Sequence, residues 1–381
     1  MQKPLVTLLA IVSLSAAMPA HAAPPPLKLV QRFQLPAEVK GGLDHFAVDV
    51  KGNRLFLAAG GEKSVLVIDV ASGRVVQTLG GFTQPNAVLY RPDLDALYVI
   101  DGTGAMRILD AATYRPVRTT RLDRDAASIG YDPATKYLYV DTSAPAPQVK
   151  TKDAKDPKDA KDAKRAEGPR GPDVTAQNPM GISEGPRSTT SALFNMIDTS
   201  SGYKGTDMTI DGVHLGAMAL EIDGPLIYLN NTSRNEVDVI NRDDWRLVAR
   251  WPVTMGTGNV AIALDEASHR LFVGCASGQV VVFNTEEGKE VKALPIAGGV
   301  NDLAFDPLTH RLYAACGADG GSIDVYHSDD APDQFTSFGR VPSGNDGGTA
   351  LLVPEWHRYF VAVPAHGTEP AQVLVYDTES R

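Results

Sequence analysis

The sequence predicts an all-β fold, a seven-bladed β-propeller of four-stranded antiparallel blades, and three observations carry that expectation. A strand–turn–strand pattern recurs with a period near 40 residues. The first strand of each repeat alternates bulky and small side chains. The strand missing from the last repeat is supplied at the other end of the chain.

The clearest copy runs Arg270–Leu271–Phe272–Val273–Gly274–Cys275, then a Gly-containing turn, then Gln279–Val280–Val281–Val282–Phe283–Asn284. Both halves are rich in β-branched and aromatic residues, which suit a pleated, half-buried surface. From Leu55 to Leu97 is 42 residues, from Leu97 to Leu138 is 41, from Ile227 to Leu271 is 44, and from Leu271 to Leu312 is 41. Six residues before each of these stands the end of an earlier strand: Asp49, Arg91, Asp132, Glu221, Asp265 and Asp306. Four short strands at this period are the signature of propeller blades. The blades fall at 41–80, 81–123, 124–211, 212–254, 255–297, 298–342 and 343–381. The last lacks an outer strand, whereas Leu27 to Leu35 alternates like one and precedes the first blade. Pairing that segment into blade seven closes the ring and removes an open edge.

The inner strands predict how blades pack. Phe46/Val48, Val88/Tyr90, Ile129/Tyr131, Met218/Leu220, Ile262/Leu264 and Leu303/Phe305 face one way. Ala47, Ala87, Gly130, Ala217/Ala219, Ala261/Ala263 and Ala304 face the other. Alternation places the two sets on opposite faces, so neighbouring blades pack large onto small.

Residues 143–190 interrupt blade three. The run Lys152–Asp153–Ala154–Lys155–Asp156–Pro157–Lys158–Asp159–Ala160 is charged and lacks large apolar side chains, so it cannot build a core. The expectation is a surface loop, with a lid or partner arm as the alternative. Deleting residues 150–170 should leave the melting temperature unchanged; a large drop would show that the segment is part of the core.

Residues 1–22 read as a signal peptide. Lys3 gives a basic start, Leu5 to Ala17 is a short apolar run, and Ala20–His21–Ala22 fits a small-x-small cleavage site. The remainder, 23–381, reads as a single propeller domain, exported to the periplasm or secreted, with no membrane span once the signal is removed. The formal net charge is −10, which argues against nucleic acid and anionic lipid as partners. A small molecule or a periplasmic protein is the expected partner of a monomer. Cys275 and Cys316 occupy equivalent positions in consecutive repeats. Sheets packed about 10 Å apart leave such positions beyond disulfide reach, so two buried thiols are expected.

In a propeller, one mouth of the central channel gathers the residues that enter each inner strand. Here these are Asp44, His45, Asn86, Asp125, Ser128, His214, Asn259, Asn301, Asp302, Asn345 and Asp346, and the loops after second strands add Arg234 and His366. A concave ring of carboxylates, amides and imidazoles is a ligand-site candidate; capping of strand ends and ordered water is the structural alternative. His45, His214, Asp302 and Asp346 are also candidates to hold a divalent metal through nitrogen and oxygen, which would allow a lactonase or esterase reaction. No Cys-x-x-Cys-His is present, so covalent haem attachment is not expected. No Gly-x-Ser-x-Gly or phosphate-cradling loop precedes a helix. His269, His310 and His357 each precede an arginine at the same turn and read as turn chemistry on the opposite face.

The repeated Leu/Ile–Tyr/Phe–Val…Val–x–Val–Ile–Asp pattern, in 55–69, 227–240 and 271–284, resembles the YVTN-repeat, YncE-like β-propeller family of bacteria. Leu43 to Asp49 and Leu352 to Glu355 also resemble passages of exported members. The resemblance implies a seven-bladed exported propeller without an agreed catalytic set. Related propeller families include lactone hydrolases and haem-d1-binding domains, which keeps the hydrolase alternative open by fold analogy. The Tyr–Val–Thr–Asn tetrapeptide itself is nowhere intact; Tyr228–Leu229–Asn230–Asn231 comes nearest, and Asn241, Asn284 and His327 replace the third-strand aspartate. The function expected on these grounds is non-catalytic ligand binding at the channel mouth.

Overall fold

The protein is described from a computed structural model, which covers residues 25–123, 125–143, 191–331 and 333–379. Residues 1–22, where the signal peptide is expected, and all but the first residue of the 143–190 segment lie outside the described residues.

Among the described residues the strands form seven four-stranded antiparallel sheets, with almost no helix between them. Blade one is built from Leu43–Asp49, Arg54–Ala59, Ser64–Asp69 and Arg74–Leu79, and blades two to six repeat that order inner to outer. Each inner strand packs against the next, the last against the first, so the seven enclose an axis. The insertion separates the second strand of blade three, Tyr137–Thr142, from its third, Ser191–Asp198. Blade seven takes its outer strand from Lys28–Gln34, which pairs antiparallel with Gln372–Asp377. The closure expected from the sequence is present.

The large-onto-small rule holds where it can be measured. A Cβ at Gly130 of blade three would stand 2.7 Å from Leu220 Cδ1 and from Met218 Sδ of blade four. A larger residue would have to push these side-chain ends of the next blade aside. Core clusters accordingly straddle blade boundaries, as where Ala47 and Phe56 of blade one meet Val88 and Leu97 of blade two.

The periodic aspartates close turns. Asp49, Asp132 and Asp306 accept the backbone N–H of Gly52, Ala134 and Leu308 at 2.8, 2.8 and 3.0 Å. After the third strands, Asp69 and Asp110 accept from Ser72 and Thr113, while Asn241 and Asn284 accept from Asp243 and Glu286. Asparagine substitutes freely because the turn needs an acceptor oxygen rather than a charge. His269, His310 and His357 occupy left-handed positions at φ 57°, 52° and 52°, matching Asn53, Asp95 and Lys136 at 54°, 45° and 65°. Their recurrence is set by backbone geometry. Cys275 and Cys316 are both free and fully buried, and burial pushes each thiol up to about 12.

Candidate functional site

The residues that enter the inner strands do gather around the axis, but most are engaged in holding blades together. Thr349 of blade seven donates its hydroxyl to Leu43 O of blade one at 3.3 Å. His45 Nδ1 lies 3.2 Å from Asn86 O of blade two, and Asn86 Nδ2 donates to Ala126 O of blade three at 2.8 Å. Ser128 Oγ reaches Gly216 O of blade four at 3.2 Å. Between blades four and five, Thr232 Oγ1 donates to Asn259 O at 2.7 Å, and Asn259 Nδ2 donates to Asn230 Oδ1 at 2.9 Å. Between six and seven, Asn301 Nδ2 donates to Thr349 Oγ1 at 3.1 Å, and Asp302 Oδ2 accepts Ala350 N at 2.8 Å. Each such bond is worth about 0.5–1.5 kcal/mol net, and leaving a buried partner unmatched costs more. Asn86, Ser128, Asn259 and Asn301 therefore belong to a belt of inter-blade clasps.

The belt rests on a feature not visible in the sequence. In blades one, two, three, five and six the pairing of inner with second strand shifts register at the entrance, as at Leu43/Phe46, Pro85/Ala87 and Val300/Asp302. A bulge there re-aims the entering side chains.

His214, Arg234 and His366 are exposed on the loops above the belt, as are Asp125 and Asp346, which adopt φ 60° and 54°. Asn345 is half-buried in the loop that enters blade seven. Arg234 is held by Asp211 at 3.1 Å and Glu236 at 2.8 Å, and His366 pairs with Glu369 through backbone alone. Among the described residues no three His, Cys, Asp or Glu side chains converge so as to hold an ion, and His45, His214, Asp302 and Asp346 form no such group. The exposed loop residues of that set are not brought onto the inner-strand pair.

What the ring does bring together is Asp44, His45 and Asp302. Asp44 Oδ1 lies 2.6 Å from His45 Nδ1 and also accepts the His45 N–H at 2.9 Å. Both side chains are enclosed by the ring of inner strands, yet they remain 39% and 40% accessible, as groups lining a channel must. Desolvation works to lower the His45 pKa. The hydrogen bond and charge of Asp44 and the charge of Asp302 outweigh it, pushing the imidazole up to about 10 and keeping it protonated at neutral pH. Burial, helped by Asp44, raises the Asp302 carboxyl, against the pull of His45 and of the Ala350 N–H.

Two fully buried groups that the sequence reading passed over flank this cluster. Asp141, on the second strand of blade three, takes Ser128 N at 2.6 Å and the Ser128 hydroxyl on Oδ1, while its Oδ2 has no hydrogen bond. Burial pushes it up to about 6 against the hydrogen bonds from Ser128, with a weaker downward pull from the charge of His45. Tyr359, on the second strand of blade seven, also has an unpartnered hydroxyl. Burial, and then the charge of Asp302, hold that hydroxyl well above the usual phenol range. Alignment of the repeats could have flagged both. Asp141 stands where blades one, two, five, six and seven carry Ala58, Ile100, Gly274, Ala315 and Ala362 and blade four carries the uncharged Asn230, and Tyr359 where other blades carry Leu55, Leu97 or Leu312. Away from the channel, an open depression beside the closing strand is lined by Gln34, Leu35, Arg74 and Pro370 and carries no comparable grouping.

No family model matches the chain, and no curated protein matches it by sequence. Solved structures match it in shape. A chain of the mitotic checkpoint complex superposes with a TM-score of 0.68 at 13% identity, over 96% of this chain and 98% of that one. The hydrazine synthase of Kuenenia stuttgartiensis gives 0.65 at 16% identity, over 88% and 95%. At such identities the likeness concerns the fold, a seven-bladed β-propeller.

Proposed function

We propose that this chain is an exported, non-catalytic β-propeller of YncE-like type that binds a small-molecule or protein ligand at the mouth of its central channel. The observation that carries this reading is the Asp44–His45–Asp302 grouping. It is a charged grouping on the inner strands, with Asp44 and His45 accessible, whereas Asn86, Ser128, Asn259 and Asn301 are taken up by blade-to-blade bonds. Such convergence of a few polar groups at a concavity is what ligand sites share. The basic, apolar and small-residue order of residues 1–22 supports export.

The test is a thermal-shift screen of small organic molecules and peptides against the protein without residues 1–22, run beside His45→Gln, which keeps a donor for Asn86 O. Ligands that raise the melting temperature of the wild type and lose that effect in the variant are expected. If every stabilising ligand works equally on His45→Gln, the mouth is not the site. N-terminal sequencing of exported material should begin at Ala23, and an intact Met1 would remove the export part of the reading.

A further inference from the structure

Leu94 breaks its repeat at a turn that does not need it. It precedes the left-handed Asp95, a place taken by Gly52, Thr135, Ser268 and Thr309 in blades one, three, five and six. Blade seven has Trp356 there, but that ring packs on Phe360 at 6.2 Å. Leu94 stays 49% exposed, and Val117 on the outer strand of the same blade 67%. Both line one crevice of about 260 Å³ between blades two and three, on the face opposite the channel mouth. Its buried lining includes Ala96, Tyr98 and Ile108. The Tyr98 hydroxyl is already matched, donating to Thr199 O of blade three at 3.1 Å. Gly202 forms part of the blade-three wall at φ 70°, and a Cβ there would stand 2.5 Å from Arg118 Cδ and 2.9 Å from Ile108 Cδ1. Glycine at that turn leaves Arg118 its place in the crevice.

The same crevice is lined by both signs of charge. The Arg118 guanidinium lies 4.5 Å from the centroid of the Tyr203 ring and has no ion pair among the described residues. Asp95 Oδ1 accepts the Tyr90 hydroxyl at 2.9 Å and stands 3.8 Å from Arg54. Asp110 Oδ1 accepts the Thr113 N–H at 2.7 Å and its hydroxyl at 2.6 Å. Among the described residues, Oδ2 of each carboxylate is without a hydrogen bond. A guanidinium fork suits a carboxylate, and a carboxylate suits an ammonium group. Sites for drug-sized ligands begin near 300 Å³, so the occupant is smaller than these. From this crevice we infer a binding site for a free α-amino acid with an aliphatic side chain. Arg118 takes its carboxylate, Asp95 and Asp110 its ammonium, and Leu94, Tyr98 and Ile108 its side chain. The site is separate from the channel mouth and does not depend on the ligand-binding reading of that mouth.

Titration calorimetry at pH 7.5 with leucine, 4-methylpentanoate, 3-methylbutylamine and glycine tests it. Leucine is expected to bind, and each of the other three, lacking the ammonium, the carboxylate or the side chain, to bind at least tenfold more weakly. Leucine affinity should fall at least tenfold in Arg118→Gln and at least fivefold in Leu94→Thr, which installs the residue of blades three and six, and should be unchanged in His45→Gln. Absence of leucine binding would overturn the inference, as would equal binding of 4-methylpentanoate or the amine. Leucine affinity that is lost in His45→Gln and kept in Arg118→Gln would also overturn it, and would place the amino acid at the mouth instead.

Discussion

The stability difference between Asp141→Asn and the wild type is expected to move in favour of the variant by about 3 kcal/mol as the pH rises from 4 to 8. Asp141 is fully buried, and its carboxyl is pushed from 3.8 up to about 6. The folded state therefore holds the proton more tightly than the unfolded chain. That contribution is fully present below the unfolded pKa near 4 and is lost as the pH rises through 6, after which the native protein carries a buried carboxylate. Asparagine keeps an oxygen for Ser128 and has no charge to bury. Its Nδ2 adds a donor whose cost does not vary with pH, so the diagnostic quantity is the slope of the difference. Paired urea titrations at half-unit steps would measure it. A difference that stays flat from pH 4 to 8 would show that Asp141 is not held as an unrelieved acid.

Removing residues 27–35 is expected to abolish cooperative folding. The segment buries Leu27, Phe33 and Leu35, each at 4% exposure or less, and Phe33 stands 6.3 Å from the ring of Phe360. Full burial of such side chains is worth about 1.5–3 kcal/mol each. Together they approach the lower end of the 5–15 kcal/mol by which a typical protein is stable. The deletion also strips a partner from Gln372–Asp377 and exposes an edge strand that can pair with other chains. Phe33→Ala is the milder companion, costing about 3–5 kcal/mol while the strand remains. Circular dichroism melts should show the deletion variant unfolded or aggregated, and Phe33→Ala folded with a lower midpoint. A deletion variant that melts like the wild type would mean that the ring does not depend on its closing strand.

The fold was legible because its causes are local and repeated. Two-residue alternation, aspartates that accept turn amides and left-handed turn positions act within a few residues, and seven copies average out the exceptions. Even the closing strand could be read, since a blade lacking one strand and a strand lacking a blade occur in the same chain. The site was legible only by level. The residues entering the inner strands could be named, but Asn86, Ser128, Asn259 and Asn301 are clasps because of which carbonyl the neighbouring blade offers, and that depends on the spacing between sheets. The entrance bulges are likewise set by blade packing. Asp141 and Tyr359 lie on second strands, where the pattern reads as core, and only comparison across copies marks them as exceptions.

The antiparallel joint that closes the ring has a mechanical consequence. Lys28 sits opposite Asp377, and Gln34 opposite Gln372, so the chain enters and leaves the joint at the same end of the ladder. Force applied through handles placed before Lys28 and after Asp377 therefore loads the pairs in sequence, starting with Lys28–Asp377, instead of sharing the load along the strand. The register shift between Leu29 and Gln31 comes early on that route. Heat must break the closing strand and its buried side chains together, whereas a pull on the two ends peels the same strand apart pair by pair. The ring is thus built to resist melting far better than it resists tension.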